Sequence, residues 1–162
     1  MTRGGAAGMS RDPGPDPRLP EGAPADILIG AQTEPEGWAF ADVFYDSGAP
    51  GAVKPISQAL VCLNPGKRWK VGFDGDLKTY DLRYTLAHEI GHAIGLAHPA
   101  DYDADADTTL TYAAHAGYYE ASRQYTVMSY FNESNTGGGY GGGYAAAPQL
   151  DDIAAAQLEY GA

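Results

Sequence analysis

Apolar positions along this chain gather into three short runs and two longer periodic stretches, each bounded by residues that end regular structure. The runs 26–30 (DILIG), 38–45 (WAFADVFY) and 58–64 (QALVCLN) lie between Gly, Pro, Asn or Asp and are rich in β-formers, so they predict strands. The clearest helix starts after Asp81, a good N-cap, and runs to about Gly95. At about 100° per residue, Leu82, Leu86, Ile90, Ala93 and Ala97 gather on one arc of it. His88 and His92 lie on a different arc, so their rings face away from that apolar stripe. A last helix over 149–160 carries Leu150, Ile153, Ala154 and Leu158 on one side. Asp151 and Asp152 sit in its first turn, where they favour the helix dipole, and Gly161 stops it.

The segments between these elements lack periodicity. Residues 1–25 are dense in Gly, Pro, Asp and Arg and read as an irregular, flexible lead to a domain over 26–162. Residues 65–80 are mixed and turn-rich. Asp101, Asp103, Asp105 and Asp107 alternate as in a calcium loop, but neither a Gly at its sixth position nor a Glu at its twelfth follows. A solvated acidic loop is the better reading. Residues 137–144 (GGGYGGGY) are of low complexity and read as flexible; they lack the Asp of the calcium-binding nonapeptide repeat.

Composition narrows the function classes. The length of 162 residues suits one domain. The formal charge of −11 argues against nucleic acid or an anionic membrane as the main partner, since both require basic patches. No run approaches the roughly 20 apolar residues of a membrane span, and no apolar core of a standard signal peptide is visible near the start. The single cysteine, Cys62, excludes an intrachain disulfide and lies in an apolar run, as a small core residue would.

The chemistry concentrates in residues 88–98 (HEIGHAIGLAH), which hold three of the four histidines. His88 and His92, four apart on a helix, project from one face and can bind one metal without distorting the backbone. Glu89, swung about 100° round the helix, reaches the open side of such a metal without joining its ligands. Gly95 permits the positive φ that turns the chain sharply and brings His98 back as a third ligand. Three neutral nitrogens leave the fourth position of a zinc ion for water, as a catalytic site requires. His115 has no partner at ligand spacing and reads as a surface or satisfied histidine. Met128, in a tight turn within VMSY, fills the space beneath the histidines.

HEIGHAIGLAH followed by VMSY resembles the metzincin metallopeptidases, and HEIGHAIGLAHPADY, ESNTGG and YAAAPQLDDIAAAQLEYGA resemble the serralysins among them. The resemblance implies an α+β, two-lobed domain: a twisted sheet packed on the zinc-binding helix, and a mostly irregular C-terminal lobe ending in a helix. It makes His88, His92 and His98 the zinc ligands, Glu89 the catalytic base and Met128 the Met-turn residue. Tyr130 becomes the tyrosine that ligates the resting zinc and then stabilises the reacting carbonyl oxygen. Ala39, Phe40 and Ala41 match the edge strand along which a peptide lies as an added antiparallel strand, a placement that an open edge favours. Protein or peptide substrates, a proteinaceous inhibitor, a monomer and an extracellular location follow from the same resemblance. So does calcium, although the chain carries no calcium motif. The strand, helix and strand that open the family's catalytic domain, and the β-roll that follows it, have no counterpart here.

The expected activity is zinc-dependent hydrolysis of internal peptide bonds. Two other readings compete: a truncated, non-catalytic zinc-binding module of the same fold, and a metallohydrolase acting on a small molecule. Glu89 speaks against the first, because a purely structural zinc site has no use for a base there. The edge strand and the serralysin-like C-terminal half speak against the second.

Overall fold

Strands and a long helix form where the apolar pattern places them. The computed structural model describes residues 26–33, 37–46, 55–69, 82–100, 102 and 109–161. The lead over 1–25, the cap at Asp81 and the acidic run over 101–107 apart from Tyr102 lie outside the described residues. The elements are β1 (Ile27–Ala31), β2 (Ala39–Tyr45), β3 (Ile56–Leu63), α1 (Leu82–Ala93), α2 (Tyr112–His115), a 3₁₀ turn (Glu133–Thr136) and α3 (Leu150–Tyr160). With a small mixed sheet on one side of α1 and irregular chain on the other, the fold is the expected α+β metzincin-like domain.

The sheet order is β1-β3-β2. β3 pairs in parallel with β1, Ile29 opposite Val61, and antiparallel with β2, Ala41 opposite Val61. β2 is therefore an edge strand among the described residues. Side chains alternate across a strand, so Ala59, Val61, Ala41 and Val43 share one face, and Leu86, Ile90 and Ala93 of α1 pack on it. Cys62 is buried in β3.

The opposite side of α1 is buried too. Tyr84 joins Val127 and Met128 in a second apolar cluster, edged by Ala87, Leu96, Tyr144 and Ala145. The side with His88 thus faces the C-terminal lobe, and His92 beside it is half-buried. The lobe has little regular structure, and polar side chains supply its order. Buried Ser122 and Thr136 are hydrogen-bonded at 2.6 Å, and Ser129 Oγ donates to the Ala121 carbonyl at 3.0 Å.

Two features depart from the pattern reading. The stretch 137–144 is held in place: the N–H groups of Tyr140 and Gly142 donate to buried Glu133 Oε1 at 3.2 and 2.9 Å. Backbone donors and the neighbouring Arg123 also hold the Glu133 carboxyl below its ordinary range, against the opposing effect of its burial. The apolar side of α3 is exposed at Leu150, Ile153 and Leu158. That helix docks through its polar first turn and through Tyr160, whose hydroxyl donates to the Ile94 carbonyl at 2.6 Å. No helix among the described residues is long and apolar enough to cross a membrane.

Candidate metal centre and active site

α1 carries His88 and His92 one turn apart, and the end of the helix delivers His98. Gly95 adopts φ +94°. Its N–H donates to the His92 carbonyl at 2.9 Å, and the Leu96 N–H donates to the Gly91 carbonyl at 2.9 Å. This pairing is a Schellman ending, in which a left-handed glycine satisfies the last carbonyls and reverses the chain. Leu96 and Ala97 then lead His98 back toward the helix.

The three imidazoles converge. His98 Nε2 lies 3.1 Å from His92 Nε2 and 3.4 Å from His88 Nε2. Each Nδ1 meets a backbone carbonyl: His88 that of Val127 at 2.7 Å, His92 that of Leu96 at 2.8 Å, His98 that of Tyr102 at 2.9 Å. A carbonyl can only accept, so each Nδ1 carries the proton and each Nε2 presents a lone pair. Three lone pairs aimed at one another repel unless a cation lies among them. The residues therefore fit a metal ion, with the rings oriented by outer hydrogen bonds as metal-ligating histidines usually are. It is the metal-competent cluster found among the described residues.

Burial sets the protonation of this group. His88 is 3% exposed and its pKa is lowered to about 4, chiefly by desolvation and further by His92 and His98, with the Val127 hydrogen bond acting the other way. Its imidazole is neutral at neutral pH, as ligation requires. Glu89, 7% exposed, is pushed up to about 7 by desolvation. A carboxyl poised there can exchange a proton near neutrality, and a bound cation would draw it back down.

The remaining expected residues surround the cluster. The Tyr130 ring stacks near His88, with centroids 5.7 Å apart and planes 22° apart, and lies 4.6 Å from His98. Met128, 2% exposed, follows Val127 in a turn closed by the Ser129 N–H to the Thr126 carbonyl at 3.5 Å. A Cβ on Gly91 would collide with Met128 Sδ, so the methionine lies directly against the helix between the two histidines. Ala39, Phe40 and Ala41 open the edge strand β2. His115 stands apart, its Nδ1 beside the Thr111 backbone at 3.1–3.2 Å.

Sequence reasoning missed three residues that hold this arrangement. Buried Asp152 accepts from the Val127 N–H at 2.9 Å, the Gln149 N–H at 2.7 Å and the Thr126 hydroxyl, and so ties α3 to the segment whose carbonyl orients His88. The Tyr84 hydroxyl donates to the Ser129 carbonyl at 3.2 Å and fixes the start of α1 to the far side of the methionine turn. Tyr102, 7% exposed, touches both His98 and Tyr130. Only Asp152 had a local signal, as the third residue of a helix, and that signal explains its bond to Gln149 alone.

Known proteins match the sequence that builds this site. A family model described as metallo-peptidase family M12B reprolysin-like covers residues 67–156. Serralysin of Photorhabdus luminescens is 54% identical over 89 residues, which are 55% of this chain and 18% of that protein. Serralysin B of Dickeya chrysanthemi and serralysin of Proteus mirabilis are each 51% identical over 80 residues, 49% of this chain and 16% of theirs. The chain thus spans less than a fifth of the length of these curated relatives. The match nevertheless takes in α1, the returning histidine, the methionine turn and the docking turn of α3. With the three-histidine cluster set between a small sheet and an irregular lobe, the chain belongs to the metzincin metallopeptidases, in the reprolysin-like family and with serralysin-like sequence.

Proposed function

We propose that this chain is a zinc-dependent endopeptidase, formed by a peptidase domain over 26–162, with His88, His92 and His98 as the metal ligands. The observation that carries the reading is the set of three Nδ1–carbonyl bonds that turns three Nε2 lone pairs onto one another, with buried Glu89 next to His88 in the helix. A zinc ion held there would polarise a scissile carbonyl and make a water molecule acidic enough to attack it near pH 7.

The chain's own residues do the rest. Glu89 takes the proton of the attacking water and passes it to the departing amine, a task suited to a carboxyl whose burial raises its basicity. The Tyr130 hydroxyl donates a hydrogen bond to the carbonyl oxygen as negative charge develops on it. The edge of β2 at Ala39, Phe40 and Ala41 offers main-chain groups to an extended peptide, which gives affinity with little demand on its side chains. Substrates are then proteins or peptides, met outside the cell as the serralysin resemblance implies.

Glu89→Gln tests the assignment. The variant keeps the side chain's shape and removes its basicity, so zinc stoichiometry should stay at one per chain and thermal unfolding of the zinc-loaded protein should change little. Cleavage of unfolded casein should fall by about 10⁴, the upper end for loss of a general base, since one residue serves both proton transfers. Equal cleavage by the variant would remove Glu89 from the mechanism. If both proteins bind zinc and neither cleaves, the chain is a non-catalytic zinc module.

A further inference from the structure

We infer that Tyr102 is a positioning residue that sets two parts of the active site at once: its ring and carbonyl brace His98, and its hydroxyl fixes the backbone of Tyr130. The inference rests on the roles proposed above for His98 and Tyr130.

The need for such a brace follows from where the two residues sit. His88 and His92 inherit the rigidity of α1, whereas His98 follows the helix on irregular chain, and Tyr130 follows the methionine turn on irregular chain. Nothing in local secondary structure sets the angle of either side chain. Tyr102 stands between them and is nearly buried, at 7% exposure. Its ring lies almost parallel to His98, with planes 12° apart and centroids 5.2 Å apart. Its carbonyl accepts the His98 Nδ1–H at 2.9 Å. Its hydroxyl oxygen accepts the Tyr130 backbone N–H at 3.2 Å, across 28 residues of sequence. The same ring packs at 5.2 Å from both Tyr130 and Phe131.

The two contacts are chemically separable. Stacking needs only a flat ring, so Phe at this position keeps the brace on His98. The bond to Tyr130 needs the oxygen. Removing it leaves the Tyr130 N–H without its acceptor and frees that segment to shift. Outer-shell partners of this kind are typically worth about 10–100-fold in metal affinity or activity.

Tyr102→Phe, Tyr102→Leu, Tyr130→Phe and the double variant Tyr102→Phe/Tyr130→Phe, all in the full chain, separate these roles. Tyr102→Phe should hold zinc with a Kd within about twofold of wild type, while kcat on a peptide substrate falls about tenfold and KM stays within about twofold. In the Tyr130→Phe background the same change should cost less than about twofold, because the hydroxyl acts through Tyr130. Tyr102→Leu should raise the zinc Kd at least about tenfold, read by competition with a chromophoric chelator.

Equal losses of kcat from Tyr102→Phe in both backgrounds would overturn the hydroxyl's role, and an unchanged zinc Kd in Tyr102→Leu would overturn the ring's. A Tyr130→Phe protein as active as wild type would instead strike the proposed role of Tyr130, and the hydroxyl half of the inference would fall with it. The zinc Kd would still decide the brace on His98, whether or not the protein cleaves peptide.

Discussion

The two sides of α1 are both buried, yet they are built by different physics. On the sheet side, Leu86, Ile90 and Ala93 meet Ala41, Val43, Ala59 and Val61 across a surface of small apolar groups. On the other side, Tyr84 and His88 meet a lobe whose buried residues include Met128, Ser122, Thr126, Ser129, Glu133, Thr136 and Asp152. The first side is held by exclusion of water, which is non-directional and tolerates small rearrangements. The second adds to its apolar cluster of Tyr84, Val127 and Met128 a set of hydrogen bonds, which fix angles. A metal centre needs ring nitrogens held to fractions of an ångström, and it is placed against the directional side. The lesson is a division of labour along one helix: packing supplies stability, and polar contacts supply aim.

That contrast can be broken most forcefully at Asp152. Asp152→Ala strands the Thr126 hydroxyl and the N–H groups of Val127 and Gln149, so unfolding free energy should drop by about 3 kcal/mol or more. Zinc affinity should fall with it, because Val127 carries the carbonyl that orients His88. Val61→Ala, on the apolar side, should cost about 2 kcal/mol and leave zinc affinity unchanged in the folded protein. Chemical denaturation and zinc competition on both variants check the pair. Loss of zinc affinity in Val61→Ala alone would reverse the assignment of roles.

A comparable effect should appear with pH in the metal-free protein. Burial raises the Glu89 pKa from 4.5 to about 7. Stability from this group is therefore fully present below pH 4.5 and is lost as pH rises through 7. Glu89→Gln does not suffer that loss. Relative to their difference at pH 4, the metal-free variant should gain up to about 3 kcal/mol over wild type above pH 7. Adding zinc should shrink the gap, since a nearby cation favours the carboxylate. Melting curves in chelator across pH 4–8 test this, and a pH-independent difference would contradict it.

The smallest effect probes the contact between the two regimes. Gly91→Ala improves helix propensity by about 1 kcal/mol but drives a methyl group into Met128. Overpacking typically costs about 1–3 kcal/mol, so the variant should be destabilised by about 1 kcal/mol and no more, because a methionine can swing aside. Gly91→Ala combined with Met128→Leu should show coupling in a double-mutant cycle.

The same divide explains what the sequence made legible. The strands and α1 announced themselves through period and end signals, and the histidine run carried its own geometry: four apart on a helix, then a glycine, then a third ring. Gly95 at positive φ and the burial of Met128 followed from local chemistry. The irregular lobe did not announce itself. Its order comes from pairs such as Thr126 with Asp152 and Ser122 with Thr136, 26 and 14 residues apart, and no local periodicity encodes such pairs. Residues 137–144 read as flexible because glycine carries no side-chain pattern; the partner that fixes them, Glu133, lies outside the run. The short α2 and the 3₁₀ turn were missed for the same reason, being too brief to show a period.

The three carbonyls behind the histidines bear on how this site withstands inherited change. They belong to Val127, Leu96 and Tyr102, and a carbonyl is present whatever residue occupies the position. A site that orients its histidines with carboxylates can lose an acceptor to one codon change. Here no single substitution can delete one. What the arrangement cannot absorb is a change in chain length: one residue added or removed between Gly95 and Tyr102 would carry a carbonyl and a ring out of register together. Lineages of this domain should therefore tolerate variety in the residues around the cluster and conserve the spacing between them.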